Sequence, residues 1–103
     1  MTTASLHSSL WYRVAALRPQ LLARAKLYRQ RFRGKVWYLL QDPANGRVHR
    51  FSPGARLLLA GMDGQRSVAD LWALVQRQLG EDAPTQDEVI HLLGQLHAAD
   101  LLP

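Results

Sequence analysis

Cysteine is absent from the 103 residues, which excludes disulfides, thiolate nucleophiles and cysteine zinc sites. Long apolar runs are missing too. None approaches the ~20 residues of a membrane span, and Met1 to Leu10 lacks the basic start and apolar centre of a signal peptide. A soluble piece in a reducing, cytoplasmic setting is the expectation. Acids are scarce in one half only: residues 1–50 hold ten Lys/Arg against one acid, whereas residues 51–103 hold three against seven, giving formal charges of +9 and −4. A basic half implies a nucleic acid, an anionic surface, an acidic peptide, or the acidic half of its own fold or of a second copy. Chemistry-bearing motifs are lacking as well. There is no Gly-rich phosphate loop, nucleophile elbow, paired-carboxylate geometry or His-Glu-x-x-His. His7, His49, His91 and His97 have no metal-ligand spacing, since the last two, six apart on a helix, face different ways. No catalytic residue, metal ligand or cofactor is expected.

What is present starts with Arg33 to Phe51, RGKVWYLLQDPANGRVHRF. Val36 to Leu40 is an unbroken β-branched, aromatic and apolar row, suited to a central strand covered on both faces. Pro43, Asn45 and Gly46 supply the backbone angles of a four- or five-residue hairpin loop. The returning run, Arg47 to Phe51, is short and charged in the manner of an edge strand. Upstream, Arg24 to Phe32 alternates well enough for a first strand, joined tightly through Arg33-Gly34. Residues 1–23 form an N-terminal arm that is expected to be partly disordered, and residues 24–103 the domain. Trp11 and Tyr12 must bury somewhere, on the arm's own domain or on a symmetry mate, so the arm leaves a homodimer open.

Three helix starts follow the strands. Ser52-Pro53 caps the first, running through Leu57, Leu58, Leu59 and Met62 and stopped by Asp63-Gly64. Ser67 with Asp70 opens the second, whose apolar stripe is Val68, Leu71, Trp72, Val75 and Leu79, ended by Gly80. Thr85 and Glu88 make a capping box for a third, running to about Ala99. The expected fold is therefore α+β: a three-stranded antiparallel sheet followed by three helices, of winged helix-turn-helix type. With 48% hydrophobic residues in 103, one core fits but not a core plus an elaborate cleft, so a binding module is expected.

The third helix decides what could be bound. A DNA-reading helix needs cationic and amide side chains for bases and phosphates, yet Gln86 to Ala99 contains neither Lys nor Arg and begins with Asp87 and Glu88. Peptide is favoured over nucleic acid, with the basic sheet face left as the nucleic-acid alternative and a purely structural or dimerising domain as a third. Val89, Leu92, Leu93 and Leu96 form one apolar stripe, and Ile90, Gly94 and His97 line the next. A mid-helix Gly is commonly offset by close approach of another backbone, so Gly94 is expected to mark one, either the domain's own sheet or a peptide bound in the groove. The peptide-binding candidates are Arg47, Val48, His49, Arg50 and Phe51 on the edge strand, with Ile90, Leu93, Gly94 and His97 opposite, receiving an added strand. Arg47 and Arg50 would favour an acidic ligand.

The stretch VWYLLQDPANGRVHRFSPGARLLLAGMDGQRSVADLW, with EVIHLLGQLHAADLL after it, resembles the PqqD-like domains, or precursor-peptide recognition elements. The likeness spans roughly Arg24 to Leu102. Its parts are the W-Y-x-L-x-D-x-x-x-G-R hairpin, the Ser-Pro helix start, Met62-Asp63-Gly64 and the terminal L-x-x-A-D-L-L. The flanking LWYRVAALRPQL looks like the cytoplasmic N-terminal part of membrane-embedded proteins resembling site-2-type metallopeptidases. The resemblance implies a non-catalytic winged helix that takes the leader of a ribosomally made precursor peptide as a strand beside the third strand and against the third helix. Its partners would be that peptide and a modifying enzyme or membrane metallopeptidase-like module in the same or another chain. No zinc motif is present to carry protease activity over.

Overall fold

A computed structural model describes residues 8–102; Met1 to His7, part of the arm, lie outside the described residues. Three strands come first: β1 (Lys26–Phe32), β2 (Lys35–Asp42) and β3 (Arg47–Phe51). They form one antiparallel sheet in the order β1-β2-β3, so the chain is a meander and both β1 and β3 are edges. Arg33 and Gly34 join the first pair with φ of +52° and +77°, the positive-φ pair of a two-residue hairpin whose twist matches the strands. In the second hairpin Asp42 C=O accepts from Gly46 N–H at 2.8 Å, and Gly46 takes the left-handed φ of +72°.

The helices α1 (Pro53–Ala60), α2 (Val68–Leu79) and α3 (Gln86–Ala98) follow, with a short 3-10 turn, Gly80–Asp82, between the last two. Each starts where a side chain satisfies an orphan N–H. Ser52 Oγ accepts from Ala55, Ser67 Oγ from Asp70, and at α3 Thr85 Oγ1 accepts from Glu88 N–H while Glu88 Oε1 accepts from Thr85 N–H at 2.8 Å. The first helix ends at Gly61, before the expected Asp63-Gly64 stop. Asp63 instead holds the next turn, accepting from Gln65 and Arg66 N–H groups.

The helices cover one face of the sheet. Leu40 and Phe51 point into a core shared with Leu58, Leu59, Val68, Leu71, Trp72, Val75, Val89, Leu92, Leu96 and Leu101. On the other face Tyr28, Phe32 and Val48 stay about half exposed at 45%, 53% and 50%. The central strand is thus well covered on one side and only half-buried on the other, because none of the described helices lies over the outer face.

The arm lies on its own domain. After a 3-10 turn at Trp11–Arg13, the Trp11 ring meets Trp72 at 5.2 Å between centroids. Backbone bonds then fix the segment: Ala69 and Val68 donate to Ala15 and Leu17, Leu21 to Met62, and Leu22 to Leu101. Ser8 N–H donates to the buried Gln86 Oε1 at 2.7 Å. The glycine under another group is Gly61, where an added Cβ would overlap Leu71 Cδ2, whereas at Gly94 it would meet nothing within 4 Å. The domain's own sheet therefore does not approach Gly94: that part of α3 borders open space.

Candidate functional site

The sheet order leaves β3 paired on one side only, with β2. A strand's side chains alternate between faces, and the register assigns them. Phe51 stands opposite Tyr38, and His49 opposite Leu40, on the core side; Arg50 stands opposite Leu39, and Val48 opposite Gln41, on the outer side. The Arg50 guanidinium lies 4.5 Å from the centroid of the Trp37 ring, a cation–π contact that holds it on the outer face. Arg47 closes the hairpin opposite Asp42. His49 is half-buried, and its Nε2 is enclosed without a hydrogen-bond partner.

Beside this edge runs a cavity of about 470 Å³. Arg50 and Phe51 of β3 form one wall, the N-cap Ser52 with Ala55 and Leu58 of α1 contributes to the floor, and Asp87, Glu88, His91, Leu92 and Gln95 of α3 form the other wall. Phe51, Leu58 and Leu92 are core residues whose edges reach it, so its base is apolar while its α3 rim is polar. The capping box fixes that rim by locking the first turn of α3.

Ile90, Leu93, Gly94 and His97 stand on a different side of α3. They line a second cavity of about 610 Å³ whose opposite wall is the arm, through Val14, Leu17, Arg18, Pro19 and Gln20. The structure brings together the five β3 candidates, and separately the four α3 candidates, but not the two sets. The separation follows from helical phase: at about 100° per residue, positions 87, 88, 91 and 95 share one arc and 90, 93 and 97 the adjacent one, with 94 at the border between them. His91 and His97 consequently line different cavities. Periodicity shows both stripes; which one meets β3 depends on where the arm docks, and no local signal carries that.

Anchoring the whole is the Arg24–Asp42 pair. Asp42, 1% exposed, accepts from Arg24 Nε at 2.9 Å and Nη2 at 3.3 Å and from Ala44 N–H at 3.0 Å. The guanidinium, then the Ala44 amide, holds its carboxyl below the usual aspartate range. Arg24 also donates to Asp100 C=O, tying the hairpin to the end of α3. Among the described residues no group of three or more His, Asp or Glu is placed to hold a metal, and no helix is long and apolar enough to cross a membrane.

A family model described as Coenzyme PQQ synthesis protein D (PqqD) matches residues 38–102, more than half of the chain. The chain belongs to the PqqD family. The match begins in β2 and takes in β3, all three helices and both walls of the β3 groove. No curated protein and no solved structure matches the chain. Within this PqqD domain the arm and β1 lie outside the matched stretch, yet β1 completes the sheet and the arm completes the second cavity.

Proposed function

We propose that this PqqD domain is a non-catalytic recognition element that takes the leader segment of a ribosomally made precursor peptide as a fourth strand along Arg47 to Phe51. It then presents that peptide to a modifying enzyme or to a membrane metallopeptidase-like module. PqqD domains serve as precursor-peptide binding elements in systems that modify ribosomal peptides, and winged-helix topology is compatible with the strand and helix order here. The observation that carries the reading is the unpaired flank of β3 with a groove beside it that has an apolar base and a helical wall. An added strand would draw affinity from backbone hydrogen bonds and specificity from alternate side chains entering the groove. Four or five such bonds at ~0.5–1.5 kcal/mol each, with one or two apolar anchors at ~1.5–3 kcal/mol, could offset association costs and leave micromolar binding. Titration of a labelled precursor peptide, followed by amide shifts, tests this: the shifts should map to β3 and the Asp87–Gln95 face of α3, and shifts that miss both would rule the groove out.

A second reading has an observation of its own. Lys26, Arg29, Arg31, Arg33 and Lys35 cluster on and beside β1, and the only ion pair among the described residues is Arg24–Asp42. A polyanion such as a nucleic acid on the outer sheet face would use Lys26 and Lys35, which share that face with Gln41 and Val48, whereas Arg29 and Arg31, opposite Tyr38 and Val36, stand on the other face. Its binding would weaken steeply between ~50 and ~200 mM salt, whereas strand pairing would change little.

A further inference from the structure

The β3 groove carries its two acidic side chains on the α3 wall. Asp87 and Glu88, in the first turn of α3, line it. Neither forms an ion pair among the described residues, although Glu88 accepts from Thr85 N–H. The one lysine or arginine in the groove lining is Arg50. The Arg50 guanidinium is stacked on Trp37 on the outer face of the sheet, and Arg47 stands at the hairpin end, outside the groove lining. Below the acids the base is Phe51, Leu58 and Leu92.

We infer that the groove selects an extended peptide bearing a lysine or arginine two residues from an apolar side chain, the cation beside Asp87 and Glu88 and the apolar group on Phe51, Leu58 and Leu92. The inference rests on the strand-addition reading. Residues two apart on a strand point to the same face, roughly 6–7 Å from one another, so one strand can reach both features at once. The residue between them points to the outer face, next to Arg50 and Val48, where an acidic or apolar side chain fits. The ligand pattern is thus one of alternating charge. It reverses the acidic ligand that Arg47 and Arg50 imply by composition, because an acid directed into the groove would meet two carboxylates.

Selection of a random peptide library displayed on phage, run in parallel on the wild-type domain and on Asp87→Lys, tests the charge rule. Asp87 is chosen because Glu88 also caps the helix. The wild type should enrich cation-x-apolar sequences, and Asp87→Lys should enrich an acid at the cation's place. A wild-type-selected peptide with its cation changed to glutamate should bind the wild type about tenfold more weakly and Asp87→Lys about tenfold more tightly than the parent does. Asp87→Asn, which keeps the side-chain shape, should fall between. Enrichment of the same motif by both proteins, with amide shifts still on β3 and α3, overturns the charge rule and leaves strand addition standing. No enrichment, or peptides that shift neither element, overturns strand addition and the charge rule with it.

Discussion

Arg24 and Asp42 form a two-pronged ion pair, with Nε to Oδ1 at 2.9 Å and Nη2 to Oδ2 at 3.3 Å, and the carboxylate sits in the turn that fixes the register of β3. The planar fork matches both carboxylate oxygens. Asp42 therefore links the segment leading into β1, the hairpin and, through Arg24 and Asp100 C=O, the end of α3.

This pair should set part of the acid limb of stability. The Asp42 carboxyl is held below its ordinary value of 3.8, so the unfolded chain binds the proton more readily than the folded one. The contribution is complete above that value and disappears as pH falls through the lowered one. Asp42→Asn should reduce the Tm near neutral pH and make the Tm fall less steeply than in the wild type below about pH 4. Thermal unfolding followed across that range checks both.

Two glycines should respond in opposite directions. Gly61→Ala places a methyl against Leu71 in the core, an overpacking expected to lose about 1–3 kcal/mol. Gly94→Ala meets open space inside α3 and should gain about 0.5–1 kcal/mol from helix propensity. Urea unfolding of the two variants would reveal the contrast; equal signs would contradict the packing described.

The arm should contribute stability through Trp11. Removing its ring from Trp72 in Trp11→Ala is expected to lose about 1–3 kcal/mol, combining burial and ring-pair terms. Solution mass measured alongside should be the same for both proteins if the arm serves its own domain, whereas a change of oligomeric state would place Trp11 in a dimer contact.

The two cavities flanking α3 should separate by mutation. His91→Ala, in the β3 groove, should weaken binding of a leader-type peptide by about 1 kcal/mol, while His97→Ala, in the arm cavity, should leave it within error. Calorimetric titration of one peptide into both variants is sufficient. A larger loss at His97 would move the site to the other side of α3.

Much of the fold was legible because its signals are local. Ser52-Pro53, Ser67 with Asp70, and Thr85 with Glu88 satisfy helix-start amides within three or four residues of themselves, so no distant contact is required to read them. The Pro-Ala-Asn-Gly loop likewise fixes β3 at Arg47–Phe51. Gly94 was legible only in part: a mid-helix glycine signals absence of a side chain, and whether the domain's own sheet fills the space is not a local property. Gly61, at a helix end where glycine is ordinary, gave no hint that Leu71 lies against it.

The sequence by itself determined the order of strands and helices, the short basic edge strand and the absence of cations from α3, since periodicity, capping and composition all act over a turn or less. Only the tertiary structure decided which face of α3 meets that edge. The arm's bonds to α2 and to Met62 and Leu101 place it beside Ile90, Leu93, Gly94 and His97, and the remaining polar face is left toward β3. The charge of the groove follows from the same rotation: Asp87 and Glu88 line it while the Arg50 guanidinium is held on Trp37, a relation between residues 37, 50 and 87 that no local pattern contains.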